Sequence, residues 1–556
     1  HNRTLAWSFT SNKPDHADAY LVTLDPQNPD AYLIDGQPHP FTVWQEVIEI
    51  ANAPDTTFTF RNSPHHGLVI RQISPTQVLC ARLELVGKEP PARQTLAMMR
   101  SATVAQFINA MQMHLYARAN TVAADAWGNL YYLYGARVHW RNDPRAARQG
   151  PLDGSNSQNL WGDQIPFAQL PTVLNPATGY LQNCNDAPWY VTENPGFDST
   201  DVPVELVYGD HFGVRGQRAT ELILAGGNAI DSTYCRRIAL DTKIVQWDSV
   251  DTVLQVALQE ARQDSLPRVA YADSLAAGLF RWDGFAHRSS TEMGLFTQWF
   301  LQLRDEVDFL NPDGIDYSQR RRMVEELIAA GDSLQALYGT EWVPWADIHG
   351  FERGGSWFGL SGGDHKLPTA RMGTFTVRNG VRRYRVYGGN NFMMIIRLKQ
   401  GESPQAWTMK PFGQSEDPAS PHYTDLTTLY SLDSLRNTYY EEADFRAHAE
   451  LIVFYTVTGI ASGDEATAPR EFALAVAPNP FNPATTVRFS LPQASPTRVV
   501  VYNLLGQKVT TLLDRRLAAG HYQVRWQPQG ATASGLYFIR LETDFGQRTV
   551  RAVLLK

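Results

Sequence analysis

The sequence predicts an α+β protein in two parts, a large layered body and a small all-β unit at the C-terminus. Three observations carry that expectation. The body runs as strands, then helices, then strands, without the alternation that builds a doubly wound parallel sheet. Residues 461–470, ASGDEATAPR, are small and polar, a linker composition. Beyond them, 471–556 holds short alternating or β-branched runs at 486–490, 498–502, 522–526, 536–541 and 549–555 with turn signals between them, the pattern of an Ig-sized β-sandwich. The expected domains are therefore 1–460, a linker at 461–470, and 471–556.

In the body, 1–72 reads as short strands and turns, with 19–24 and 57–60 as examples. Val104, Phe107, Ile108 and Met111 recur at helical spacing behind Thr103, a plausible N-cap. A hairpin follows at 120–138, turning at 125–129. Helices are expected at 217–224, 250–262, 289–304 and 319–338. The third carries a capping-box signature, Ser289 with Glu292, and the fourth ends at Gly339. Residues 383–398 read as two strands paired across a turn at Gly388, Gly389, Asn390 and Asn391.

The chain of 556 residues is 43% hydrophobic and 11% aromatic, enough to bury a sizeable core. A net charge of −8 and the lack of a Lys/Arg block argue against nucleic acid as a partner. No apolar run reaches the ~20 residues that span a bilayer. Cys80, Cys184 and Cys235 allow one disulfide with a thiol left over, and no leader is read ahead of His1.

The most informative stretch is 175–188, NPATGYLQNCNDAP. On an extended strand the carboxamides of Asn183 and Asn185 share a face, while Cys184 points away as a packed thiol. Two convergent amides can donate N–H groups to a developing oxyanion, or can knit a loop together; the residues alone leave both open. A second hydrolase signal is Gly359 to Gly363 with Ser361 at its centre, a formal nucleophile elbow to which His422 and Asp425 could add partners. The sequel GDHKLPTARMG lacks the helix such an elbow needs. His65, His66 and His349 have no metal-binding spacing and read as structural.

Four motifs of the C-terminal unit, APNPFNPATTVRFSLP (477–492), VYNLLGQKV (501–509), AAGHYQVRW (518–526) and ASGLYFIRL (533–541), resemble the sorting domain of the type IX secretion system and the related FlgD-like Ig module. That resemblance implies a protein handed to secretion machinery and released or held at the cell surface. Six ordered motifs of the body, HNRTLAWSFTSNKPDHAD (1–18), HHG (65–67), DAWGNLYYLYGARV (125–138), NPATGYLQNCNDAP (175–188), VPWADIHG (343–350) and PFGQSEDPASPHYTD (411–425), resemble the β chain of the penicillin acylase family of N-terminal-nucleophile hydrolases.

The resemblance implies a four-layer αββα body that hydrolyses linear acyl amides through an acyl-enzyme on an N-terminal serine freed by self-cleavage, paired with an α chain from the same precursor. It places the oxyanion donors at the Asn185 side chain and the Ser11 backbone N–H. Arg218 would hold Asn185 and the substrate, with Asn183 and His66 in support. It implies structural calcium at Asp15, the Ala17 carbonyl and Asp18, with Asp198 or Asp201 as further ligands. Family β chains begin upstream of the His-Asn pair, so the nucleophile is expected outside these residues and the chain alone is expected to be inactive. ALDTKIVQWDSVD (239–251) and SPHYTD resemble the branch acting on acyl-homoserine lactones and lipopeptides. The rival from another class is a surface-displayed binding protein that keeps the scaffold without catalysis.

Overall fold

The computed structural model describes residues 1–84, 89–144, 149–207, 209–376, 383–449, 471–528 and 532–555. The expected linker, 461–470, lies outside them. The chain separates into two compact units, His1–Glu441 and Glu442–Lys556.

Two sheets dominate the first part of the larger unit. The smaller is antiparallel, in the order Leu5–Thr10, Arg118–Asp125, Leu130–Ala136, Thr172–Leu174. The larger has eight strands: Gln37–Pro40, Asn28–Ile34, Ala17–Asp25, Gln77–Leu83, Gly67–Ser74, Thr56–Ser63 and Thr42–Ile48 in path order, with Leu152–Asp153 parallel to Ala17–Asp25. Alternation sets the buried face of Ala17–Asp25, where Asp18, Tyr20, Val22 and Leu24 all point inward. An acid in that row must find partners, because an uncompensated buried carboxylate is costly. The chain passes from the first sheet to the second through residues 11–16, and this crossover carries Ser11 and Asp15.

A helical layer follows. Val245–Gln263, Val269–Leu279, Glu292–Leu303 and Tyr317–Tyr338 pack their apolar faces around Trp247, Phe296, Trp299 and Met323. The Thr103 cap is present, accepting from the Gln106 N–H, and Gly339 closes its helix at φ +76°. The capping box expected at Ser289 is not formed; Ser290 Oγ instead accepts from the Met293 N–H at 3.2 Å. A full capping box sits one helix later, at Asp316 and Gln319.

The expected pairing within 383–398 is also corrected. Tyr384–Gly389 pairs with Gly373–Phe375 and His349–Arg353, whereas Met393–Arg397 pairs with Gln405–Met409. Asn390 explains the divergence: its side chain accepts from the Met372 N–H and donates to the Ala370 carbonyl, which ties the presumed turn to another segment.

The C-terminal unit is a β-sandwich. Ala473–Ala477, Thr485–Leu491 and Gly520–Trp526 form one sheet; Lys508–Leu517, Ser495–Tyr502, Gly535–Thr543 and Gly546–Leu554 form the other. Val487, Phe489, Val499, Val501, Trp526, Ile539 and Leu541 fill the space between them. No helix among the described residues is long and apolar enough to cross a membrane.

Candidate active site

Residues 179–187 form no strand, so the shared-face argument for Asn183 and Asn185 does not describe this loop. Asn185 has φ +73°, a conformation Asn tolerates better than most residues. The turn brings its side chain to Ser11, 174 residues away in sequence: Asn185 Nδ2 donates to the Ser11 carbonyl at 3.0 Å. Asn183 lies beneath. Its Oδ1 accepts from the Asn185 N–H at 3.0 Å, from Asn120 Nδ2 at 3.1 Å and from the Thr10 hydroxyl.

The remaining restraints come from the next helix, Val214–Gly226. Arg215 Nη2 donates to Asn185 Oδ1 at 2.9 Å and to the Cys184 carbonyl at 3.2 Å. A cation on the amide oxygen fixes which end of the carboxamide faces Ser11 and polarises its N–H groups. Arg218, expected in this place, lies one turn further along and grips Asp241 at 3.1 and 3.3 Å and Glu221 at 2.7 Å. The contact assigned to Arg218 is made by Arg215, which the spacing of RATEL did not single out. Asp186 joins loop and helix, accepting from the Cys184 N–H at 3.2 Å and the Gly213 N–H at 2.9 Å. Gly216 makes that approach possible, since a Cβ there would stand 2.1 Å from Asp186 Oδ2.

Asn120 was missed by the sequence reading. It is 1% exposed, accepts from the Tyr132 hydroxyl at 2.7 Å and reaches Thr10, Asn183 and the Ser11 carbonyl at 3.1, 3.1 and 3.4 Å. A lone Asn in an otherwise small and apolar strand start, Arg118–Asp125, was the available signal. At the base of the loop, Tyr180, Trp189, Tyr190, Thr192, Phe212 and Thr220 line an open pocket of about 380 Å³, with Tyr190 and Phe212 stacked at 4.4 Å.

His66 is elsewhere. It is buried in the turn that joins Thr56–Ser63 to Gly67–Ser74, between Ser63 Oγ and the Gly154 carbonyl, both at 2.9 Å, and burial pulls its pKa down to about 4, so it is a neutral core imidazole. His349 is likewise enclosed and held near 4 by burial. Ser361 is buried, and Gly362 after it adopts φ +91° with no helix following, while His422 and Asp425 pair at 3.0 Å on the surface. Cys80, Cys184 and Cys235 are free thiols; burial raises Cys184 to about 11, which leaves it protonated at neutral pH.

The residues expected to bind calcium meet a guanidinium. Arg141 Nε donates to Asp18 Oδ2 at 2.8 Å, and its Nη2 to the Asp15 carbonyl at 3.0 Å, with Asp15 Oδ1 3.7 Å away. Trp161 Nε1 also bonds Asp18 Oδ2. Ala17 belongs to the ladder with Gln77–Leu83, opposite Leu83. Asp198 and Asp201 close their own exposed turn with Thr200. Among the described residues no group of three or more His, Cys, Asp or Glu side chains could hold a metal ion. The donor set as arranged does not fit calcium, because a cationic side chain occupies its centre.

Residues 1–447 match the penicillin amidase family, and residues 475–555 match the secretion system C-terminal sorting domain. The chain belongs to the penicillin amidase family. Among curated relatives, the acyl-homoserine lactone acylase PvdQ of Pseudomonas fluorescens (strain Pf-5) is 23% identical over 81% of this chain and 62% of its own length. The aculeacin-A acylase of Actinoplanes utahensis is 24% identical over 82% and 62%. The chain thus spans about three fifths of the length of these relatives. A thermostable penicillin G acylase from Alcaligenes faecalis shares the fold, with a TM-score of 0.55 at 18% identity over 83% of this chain and 89% of that one. Residues 1–447 thus carry the penicillin amidase scaffold, and the sorting domain points to export or the cell surface.

Proposed function

We propose that this chain is the larger part of an exported acylase that cleaves the linear amide of an acylated small molecule through an acyl-enzyme on an N-terminal serine, with the nucleophile and an α chain supplied from outside residues 1–556. In this reading the Asn185 carboxamide and the Ser11 backbone N–H stabilise the oxyanion of the tetrahedral intermediate, as preorganised donors do in acyl transfer. One observation carries it: Asn185 Nδ2 lies against Ser11 with its orientation set by Arg215. An amide nitrogen has two hydrogens and the Ser11 carbonyl takes one, so the second is available to a substrate oxygen. The resemblance of 239–251 and SPHYTD to the acyl-homoserine-lactone and lipopeptide branch makes long-chain acyl amides the first substrates to assay. The sorting domain would deliver the enzyme to the secretion machinery.

The test is to read the coding sequence upstream of His1, express the complete precursor and measure the intact masses of its products. Self-cleavage to a β chain with N-terminal serine, together with release of fatty acid from acyl amides, is expected. An uncleaved precursor that releases no acid would overturn the proposal.

A further inference from the structure

The far end of the crossover that carries Ser11, at Asp15, is tied to the 139–141 segment by the Arg141 side chain. This side chain is 3% exposed and that of Asp18 is 1% exposed, so the pair is shielded from solvent. All three guanidinium nitrogens donate to oxygen: Nε to Asp18 Oδ2 at 2.8 Å, Nη1 to the His139 carbonyl at 3.0 Å, and Nη2 to the Asp15 carbonyl at 3.0 Å. The backbone N–H of the same residue points at Glu205 Oε1 at 3.4 Å, and the Glu205 carbonyl accepts from the Asp15 N–H at 2.9 Å. Trp161 covers the guanidinium at 5.2 Å and shares Asp18 Oδ2.

Carboxylate and carbonyl oxygens from separate segments converging on one point are the donors a hard cation takes. Here they converge on a planar fork that satisfies them by direction as well as by charge. A second cation at that point would face Arg141 across a few ångströms of low-dielectric interior. One atom, Asp18 Oδ1, is buried without a hydrogen bond, and a single orphan oxygen is too small a donor set for a calcium ion.

We infer that Arg141 is the resident cation of this crossover, tying Asp15 and Asp18 to the 139–141 segment so that the Ser11-bearing loop is held without a metal ion. This role departs from the calcium site that the family resemblance implies, and it stands whether or not the chain is part of an active acylase.

The experiment is calorimetric melting of the full chain in excess EGTA and in millimolar calcium, with metal analysis of the dialysed protein. The wild type is expected to melt at the same temperature in both solutions and to hold no stoichiometric calcium. Arg141→Ala is expected to melt lower by roughly 5 °C or more, because it strands a buried carboxylate. Where that variant does not accumulate, Arg141→Lys is read instead; it keeps a charge but loses the fork, and is expected to melt below the wild type. A wild-type melting point lowered by EGTA, calcium bound at one per chain, or an Arg141→Lys protein as stable as the wild type would each overturn the inference.

Discussion

Arg141 and Arg215 restrain the two segments that meet at Ser11, and they do so by different physics. Arg141 is enclosed and neutralises a buried carboxylate, so its removal leaves an uncompensated charge in the interior. Arg215 bonds an amide oxygen and a backbone carbonyl, both neutral groups, on a loop that stays partly open to solvent. The first is a structural cross-link whose loss costs about 3–5 kcal/mol of stability. The second sets the direction of a dipole and leaves the fold nearly untouched. Damage on the Arg141 side should therefore appear in melting temperature, and damage on the Arg215 side in turnover.

The largest effect tests the donor itself. In the complete enzyme Asn185→Ala is expected to lower kcat by ~100-fold or more, with maturation and melting temperature near those of the wild type. Steady-state kinetics with an acyl amide, alongside a melt, decides it; a near-normal kcat removes Asn185 from the chemistry. Arg215→Ala comes next. It frees the carboxamide to rotate and removes a charged hydrogen bond, so kcat should fall by about 10-fold with a smaller change in KM. Arg218→Ala should leave kcat closer to the wild type, since that guanidinium is committed to Asp241 and Glu221. A larger loss from Arg218→Ala than from Arg215→Ala would reverse the assignment of the two arginines.

Much of the architecture was legible in the sequence because period and punctuation are local. The Thr103 cap, the 120–138 hairpin and the Gly339 stop needed only residues within a few positions. The pairing of 383–398 failed for the opposite reason, since Asn390 is claimed by Met372 and Ala370, and no local pattern reports a distant partner. The site divides along the same line. Asn183 and Asn185 stood out as a pair, and the loop was visible, but the left-handed turn at Asn185 was not. Asn120 and Arg141 were invisible as site residues because their meaning lies in what the sheets bring to them. Arg218 was favoured over Arg215 because a motif match reports sequence position, and one helical turn separates the two guanidinium groups.

A smaller effect is expected where loop and helix touch. Gly216→Ala sets a methyl against Asp186 Oδ2 and must push the carboxylate away from the Gly213 and Cys184 N–H groups. The cost is about 1–3 kcal/mol of stability, typical of overpacking, and about a 3-fold loss in kcat as the loop shifts. Thermal melting with kinetics on the same preparation measures both. Unchanged stability would show that Asp186 is not a fixed joint.

Cys184 provides the smallest expected effect and the sharpest distinction between chemistry and packing in this loop. It lies between the two asparagines, where a thiolate would be a credible nucleophile. Burial, however, raises its pKa to about 11, with Arg215 only partly opposing the shift. At pH 8 that leaves about one thiol in a thousand ionised. Cys184→Ala in the complete enzyme should therefore keep kcat within about 2-fold, and iodoacetamide at pH 8 should modify Cys184 far more slowly than an exposed cysteine in a control peptide. Rapid alkylation that abolishes turnover, or a large loss of kcat in the alanine variant, would give the sulfur a direct part in the reaction and displace the reading in which Cys184 only carries the backbone carbonyl that Arg215 grips.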